Sequence, residues 1–353
     1  MSHAATQAYL NTRISVMATR LFAPQSLDRL ARMLLPELAE QFGLTALLDE
    51  QPALATRSRV VEQSLLHILL AELQILLRPM NAAERALVLA WGQKYALFNL
   101  KTLIRGKLYA LDQKELRDHL YDLPPIIRLP HQELFRAENV LELLRQLESG
   151  QYHQIARQAR EVYEKHREPF ALEAAIDQRY YSTIVRHIMS SGDHHLNNLR
   201  QLMGAELDRV ALLWLLRFRF TYHISPSETY YQLVPSTGVL NREQLLKLAN
   251  LDSFERVLEA LPAPLNALLN GCHSLTEVQQ QLHHATRQAQ RQMLIRSQSA
   301  VARALAYLML READLHVLFA IIQGRLLQFP QSTITAALEL NEPNTNWAEL
   351  RAA

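Results

Sequence analysis

The chain has 353 residues, a formal net charge of +2, 49% hydrophobic residues and only 9 Gly. That length allows two or three domains, and the near balance of charge gives no support to the basic footprint of a nucleic-acid binder. Scarce glycine and a wealth of Leu, Ala, Gln, Glu and Arg disfavour hairpin-rich β folds and predict an all-α chain.

In chain order, Tyr9–Leu21 is predicted as a helix, followed by Ser26–Leu35 with Ser26 as N-cap. Gly43–Pro52 reads as a break holding a short helix. Arg57–Leu77 is long and amphipathic, with Glu62 and Glu72 placed off the apolar line and Pro79 ending it. Asn81 caps the helix that runs through Trp91 into Tyr95–Lys107. Leu116–Leu123 is short and stopped by Pro124 and Pro125. Helices follow at Glu138–Leu147, Tyr152–Phe170 and Leu172–Met189. His195–Phe220 is either one long helix or two joined near Gly204. Ser225 begins the next with Pro226 at the first position. Short helices at Asn241–Ala249 and Ser253–Leu261 lead to Leu275–Ile322, apolar-periodic nearly throughout. Pro330 closes that unit, Ser332–Leu338 is a last short helix, and the tail from Asn341 is expected to be loosely held.

The stretch YALFNLKTLIRGK (Tyr95–Lys107) recurs. A shift of 112 residues places Arg105 on Arg217, and a further 106 places it on Gln323. In that register Leu100, Leu212 and Leu318 coincide, as do Leu103, Leu215 and Ile321, and Ile104, Leu216 and Ile322. These columns lie on one helix face. Lys107, Arg219 and Arg325 form a basic column. Glu206 and Asp208 fall on Glu312 and Asp314, whereas the first copy has Lys94 and Ala96. The pattern predicts a repeated helical unit of ~110 residues. The centre of the motif is Gly106, Phe218 or Gly324, so the second copy departs from the other two.

Reaction chemistry is harder to find. No glycine loop suits a phosphate. Cys272 beside His273 is not a nucleophile–base geometry, and as the lone cysteine it excludes an internal disulfide and fits a reducing compartment. The pairs His194-His195 and His283-His284 point adjacent side chains about 100° apart on a helix, which suits solvated histidines better than one metal ion. Glu206/Asp208 and Glu312/Asp314 read as structural rather than as catalytic acid pairs. No metal or cofactor is expected. The N-terminus lacks the apolar core of a secretory signal, and no stretch is expected to reach the ~18 to 20 apolar residues that span a bilayer. Lys101, Arg105, Lys107, Arg217, Arg219 and Arg325 are either charge near helix C-termini, where cations complement the dipole, or groups that reach acids on a partner or a neighbouring repeat.

Five segments in order carry a resemblance: Tyr9–Leu21, Tyr95–Lys107, Leu172–Ile184, Phe218–Leu240 and Ala306–Arg325. Together they resemble the C subunit of the archaeal and bacterial V/A-type rotary ATPases, whose equivalent in the eukaryotic V-ATPase is the d subunit. The resemblance implies three pseudo-repeated helical bundles around a pseudo-threefold axis, forming a cone or funnel, with approximate bounds 1–128, 129–238 and 239–353. It implies a non-catalytic rotor subunit on the cytoplasmic face of the membrane, with no membrane insertion of its own. Its partners would be the membrane rotor ring and the D and F subunits of the central stalk, so that ATP hydrolysis or synthesis is coupled to H+ or Na+ transport. Gln323 in place of Arg and Phe218 in place of Gly weaken any notion of one motif binding one ligand. Two other readings stay open on the residues alone: an α-helical adaptor with no rotary partner, for which a repeat of ~110 residues is long, and an all-α metal enzyme, for which aspartate-rich motifs are lacking.

Overall fold

The structure is a computed structural model that describes residues 3–50, 53–191, 193–234 and 236–335. Among these there are helices and turns and no strand, so the chain is all-α as its composition predicts. Residues 331–335 are helical; the remainder of the expected last helix and the tail from Asn341 lie outside the described residues, as do Pro52 and Pro235 of the expected breaks. Contacts divide the chain into two compact units, Met1–Pro79 with Ala267–Ala353, and Met80–Asn266. Both junctions expected from the repeat, at 128/129 and 238/239, fall inside the second unit.

The first unit is built around the helix Ala300–Leu326, most of whose residues are buried. His3–Ala18, Pro24–Arg32, Leu35–Gln41, Leu54–Leu77 and Leu275–Arg296 pack against it. The helix predicted to start at Ser26 starts instead at Pro24, whose fixed φ suits the first turn. The continuous apolar period of Leu275–Ile322 hides a break at Ser297–Ser299, where the Ser299 hydroxyl accepts from the Ala302 amide and starts a new helix. Leu54–Leu77 is long and apolar enough to cross a membrane, contrary to the expectation from sequence, and half of its apolar window is buried within the unit. Its buried leucines pack on Ala300–Leu326.

One polar residue of that helix is misplaced by the sequence reading. Glu72 is not off the apolar line: it is buried, accepts from the Tyr307 hydroxyl at 2.6 Å, and pairs with Arg20 at 3.1 Å and Arg311 at 3.4 Å. Two donors, Tyr307 and Arg20, and the nearby charge of Arg311 replace the water this carboxylate gives up.

In the second unit, Pro169–Met189 packs on His153–His166, Ala82–Gly92, Lys94–Leu108 and Asp193–Leu216. Asn81 opens Ala82–Gly92 with a reciprocal box, its side chain accepting from the Glu84 amide and the Glu84 carboxylate accepting from the Asn81 amide. Side chains of Asn139, Ser225, Asn241 and Ser253 open other helices the same way on the acceptor side. Asp193–Leu216 is one helix through Gly204, and it widens into a π-helical turn at Arg217–Thr221.

The three repeated helices end alike. Ala110, His223 and Gln328 are left-handed, at φ 51°, 54° and 58°. The next amide then reaches back to the column of Gly106, Phe218 and Gly324: Leu111 to Gly106 at 3.0 Å, Ile224 to Phe218 at 2.8 Å, Phe329 to Gly324 at 2.9 Å. Such a left-handed cap satisfies carbonyls that the last turn leaves free. The second copy spans one residue more because of its π turn. A Cβ on Gly106 would lie 2.3 Å from a methyl of Leu116, and one on Gly324 2.9 Å from Ile334. Phe218 has no such neighbour to displace, since the widened turn seats its ring, buried, among Trp214, Phe170 and Tyr222.

Candidate functional site: the charged columns of the repeated helices

The basic column lies at the C-terminal ends of Lys94–Leu108, of Asp193–Leu216 with its π turn, and of Ala300–Leu326. In the first copy Lys101 and Arg105 lie one turn apart and face Pro169–Met189. Lys101 Nζ donates to both oxygens of Asp177 at 2.8 and 2.9 Å. Arg105 donates through Nε and Nη2 to the two oxygens of Glu173, each at 2.6 Å. This fork geometry fixes direction as well as distance. Burial pushes the Asp177 carboxyl up, against the pull of Lys101; the hydrogen bond to Glu173 pushes the Arg105 guanidinium up. The like-charge pair therefore has a matched acidic pair across the contact.

The remaining cations serve backbone carbonyls. Lys107 Nζ donates to Phe135 O at 2.8 Å. Arg219 donates to Ala249 O and Ile224 O, each at 2.8 Å. Arg325 donates to Ala31 O at 2.7 Å and to the Gln331 side chain. The carbonyls of Phe135, Ala249 and Ala31 each sit near the end of a short helix: His131–Arg136, Arg242–Ala249 and Pro24–Arg32. Arg217 is half-buried in the π turn.

The acidic column completes a two-point grip. Asp208 accepts from the Ser236 hydroxyl at 2.6 Å and from the amides of Val239 and Leu240 at 2.9 and 3.0 Å. Asp314 accepts from the Phe22 amide at 2.7 Å and from Arg287 at 3.2 Å. In both copies the carboxylate holds the loop before a short helix, and the arginine 11 positions later holds the carbonyl near that helix's end. Nine positions separate the held amide from the held carbonyl in each, Leu240 from Ala249 and Phe22 from Ala31. Burial pushes both carboxyls up, Asp314 to about 6. Of the acids read from sequence as structural, Asp208 and Asp314 hold loops in this way. The first copy, with Ala96 at this column, has no carboxylate; the wholly buried Asn99 holds its loop instead, accepting from the Tyr121 amide and donating to the Tyr121 carbonyl, each at 2.8 Å. Asn99 was not singled out by its sequence context, since an amide among leucines carries no period of its own.

Among the described residues no group of three or more His, Cys, Asp or Glu is placed to hold a metal. His195 lies 3.6 Å from Glu84, while the His194 side chain lies outside the described residues. What the charged columns can do chemically is hold short helices and one neighbouring long helix in fixed register.

Three relatives are similar to this chain in sequence. The C subunit of the A-type ATP synthase of Methanocaldococcus jannaschii is 26% identical over 58% of this chain, so the chain spans about half, 52%, of that protein. The same subunit of Methanosarcina mazei is 22% identical, covering 71% of this chain and 69% of its own length. That of Archaeoglobus fulgidus is 22% identical, covering 72% of each. The ATP synthase (C/AC39) subunit family matches from residue 10 to residue 337, which takes in all three repeated helices. With nearly the whole chain matched, the protein belongs to the ATP synthase (C/AC39) subunit family, that of the C subunits of the V/A-type ATPases.

Proposed function

We propose that the chain is the non-catalytic coupling piece of a V/A-type rotor: a socket on the cytoplasmic face of the membrane ring that receives the foot of the central stalk, made of the D and F subunits. Torque passing through it would couple ATP hydrolysis or synthesis to H+ or Na+ movement. The observation that carries this reading is the family match over residues 10–337. A part that transmits torque must resist twist, and the recurrent grips support such a role, because each fixes a short helix at both ends to a long one.

The same grips support three bundles around a pseudo-threefold axis, at about 1–128, 129–238 and 239–353. The grip of Asp314 and Arg325 on Pro24–Arg32 supports a variant of these bounds in which the two ends of the chain pack together to complete one bundle. In this reading Lys101, Lys107, Arg219 and Arg325 stiffen the chain from within, and Arg105, half-exposed, is the position nearest to partner contact.

Co-purification tests the proposal. The tagged chain, expressed beside the other subunits and extracted in mild detergent, should bring down the ring and the D and F subunits. Recovery of neither defeats the reading and returns the chain to the class of helical adaptors.

A further inference from the structure

Beside the first repeated helix, an open groove of about 580 Å³ lies between Gln113–His119 and His131–Arg136. Its rim carries two guanidiniums, Arg117 and Arg136, and two carboxamides, Gln113 and Gln132. Its floor is Phe135, whose ring is buried and whose carbonyl is held by Lys107. The Arg117 guanidinium lies over that ring, 4.8 Å from its centroid. A stacked guanidinium keeps its in-plane N–H groups for an acceptor.

The electrostatics are one-sided. The acid in the lining, Asp122, is already engaged by Arg128 at 2.9 Å, and Arg128 also donates to Leu123 O. Among the described residues no carboxylate lies within ion-pairing distance of Arg117 or Arg136. Elsewhere in this unit arginines such as Arg105, Arg160 and Arg209 have acids of the same chain against them. Two cations, two amides able both to donate and to accept, and an apolar floor suit a peptide that offers carboxylates together with a backbone.

We propose that this groove binds an acidic segment of a neighbouring subunit of the rotor, with Arg117 and Arg136 each taking a carboxylate and Gln113 and Gln132 reading the backbone. The proposal deepens the coupling role given above and rests on it for the partner. The contact is polar and open, so it weakens with salt.

The test uses the full chain in two assays. In the first, an oligoglutamate peptide is titrated calorimetrically into the wild-type chain and into R117A/R136A, with oligoglutamine and inorganic phosphate as controls. Saturable binding of oligoglutamate, weakened tenfold or more in the double variant, is expected, since charge-assisted hydrogen bonds are the strong ones. In the second, rotor complexes carrying either chain are washed with rising salt, and the variant complex should release the chain earlier. Because Arg117 also packs on Phe135, R136A alone and R117K/R136K accompany the pair; they keep the stacked cation and should weaken binding by less.

Equal peptide binding by wild type and variant, or equal salt tolerance of the two complexes, overturns the proposal. So does inorganic phosphate competing as well as the peptide, which would make the groove a free-anion site. If the wild-type chain joins no ring or stalk, it is the broader coupling reading that falls, and the titration alone then decides the groove.

Discussion

Arg105 holds Glu173 through two parallel hydrogen bonds of 2.6 Å, and one turn earlier on the same helix Lys101 holds Asp177. The two pairs differ in burial. The Arg105 side chain is 54% exposed, whereas Lys101 and Asp177 are 22% and 27% exposed. Water and salt screen the first pair, so R105A should cost about 0.5–1 kcal/mol in urea unfolding. K101A removes the more buried cation and strands Asp177, whose carboxyl burial already pushes up, and should cost more, about 1–2 kcal/mol. An R105A loss larger than that of K101A would show that fork geometry, not burial, sets the order.

A stiffening or contact role for the basic column makes a separate forecast. R105E/R217E should fold, with a circular dichroism spectrum like that of the wild type, and yet assemble poorly with ring or stalk at physiological salt. Normal assembly of that double variant removes the column from the assembly interface.

Asp208 is the pivot of the grip on Arg242–Ala249. Three donors converge on it, two of them backbone amides. D208A leaves those amides without their acceptor in a part-buried loop, and a loss of roughly 2–4 kcal/mol is expected. The damage should be local. Hydrogen exchange of Arg242–Ala249 should quicken most, while that of Ala82–Gly92 should change little. Uniform quickening across the second unit would mean that Asp208 supports the whole unit rather than one short helix.

Much of this arrangement was legible in the sequence, and the illegible parts share a cause. The helix starts after Asn81 and Ser225 were readable because a cap acts within three residues, as these do with Glu84 and Glu228, whereas the uncapped start at Pro24 was not. The basic and acidic columns were readable because the repeat aligned them. What they hold was not: Asp314 meets Phe22 and Arg325 meets Ala31 across nearly 300 positions of chain, and no periodicity encodes such a pairing. Glu72 was placed outside for the same reason, since its donor Tyr307 is 235 positions away. The break at Ser297–Ser299 escaped because the apolar period continues through it. The π turn was foreshadowed only by Phe218, the bulky residue in a glycine column.

Asp314 makes stability depend on pH in a defined window. Burial raises its carboxyl from 3.8 to about 6, against the opposing pull of the Phe22 amide and of Arg287, Arg311 and Arg291. A carboxyl raised on folding favours the protonated native form. Its contribution is therefore complete below pH 4 and is lost as pH rises through about 6. The full loss is of order 3 kcal/mol. D314N keeps an oxygen for the Phe22 amide and cannot titrate. Urea unfolding at pH 4, 5, 6 and 7 should show the variant gaining on the wild type by about 2–3 kcal/mol across the window. Curves that stay parallel would mean that the four opposing groups hold the carboxyl near its ordinary value.

Gly106 tests whether the glycine column is a packing requirement or an accident of composition. On helix propensity alone G106A should stabilise the chain by about 1 kcal/mol, because alanine is the better helix former. The structure opposes this, since the new Cβ would lie 2.3 and 2.5 Å from the two methyls of Leu116. Leu116 is itself buried and cannot swing into water without cost, so overpacking of roughly 1–3 kcal/mol should prevail and the variant should be less stable. L116A alone opens a cavity and should cost about 2–4 kcal/mol. Combined, the changes relieve each other, so G106A/L116A should be more stable than the sum of the single losses by at least ~1 kcal/mol. G324A with I334A should behave likewise in the third copy, to a lesser degree, because the contact there is 2.9 Å. Additive losses at both positions would mean that the short helix after each cap yields freely, and that the glycine column does not set the packing of the repeat.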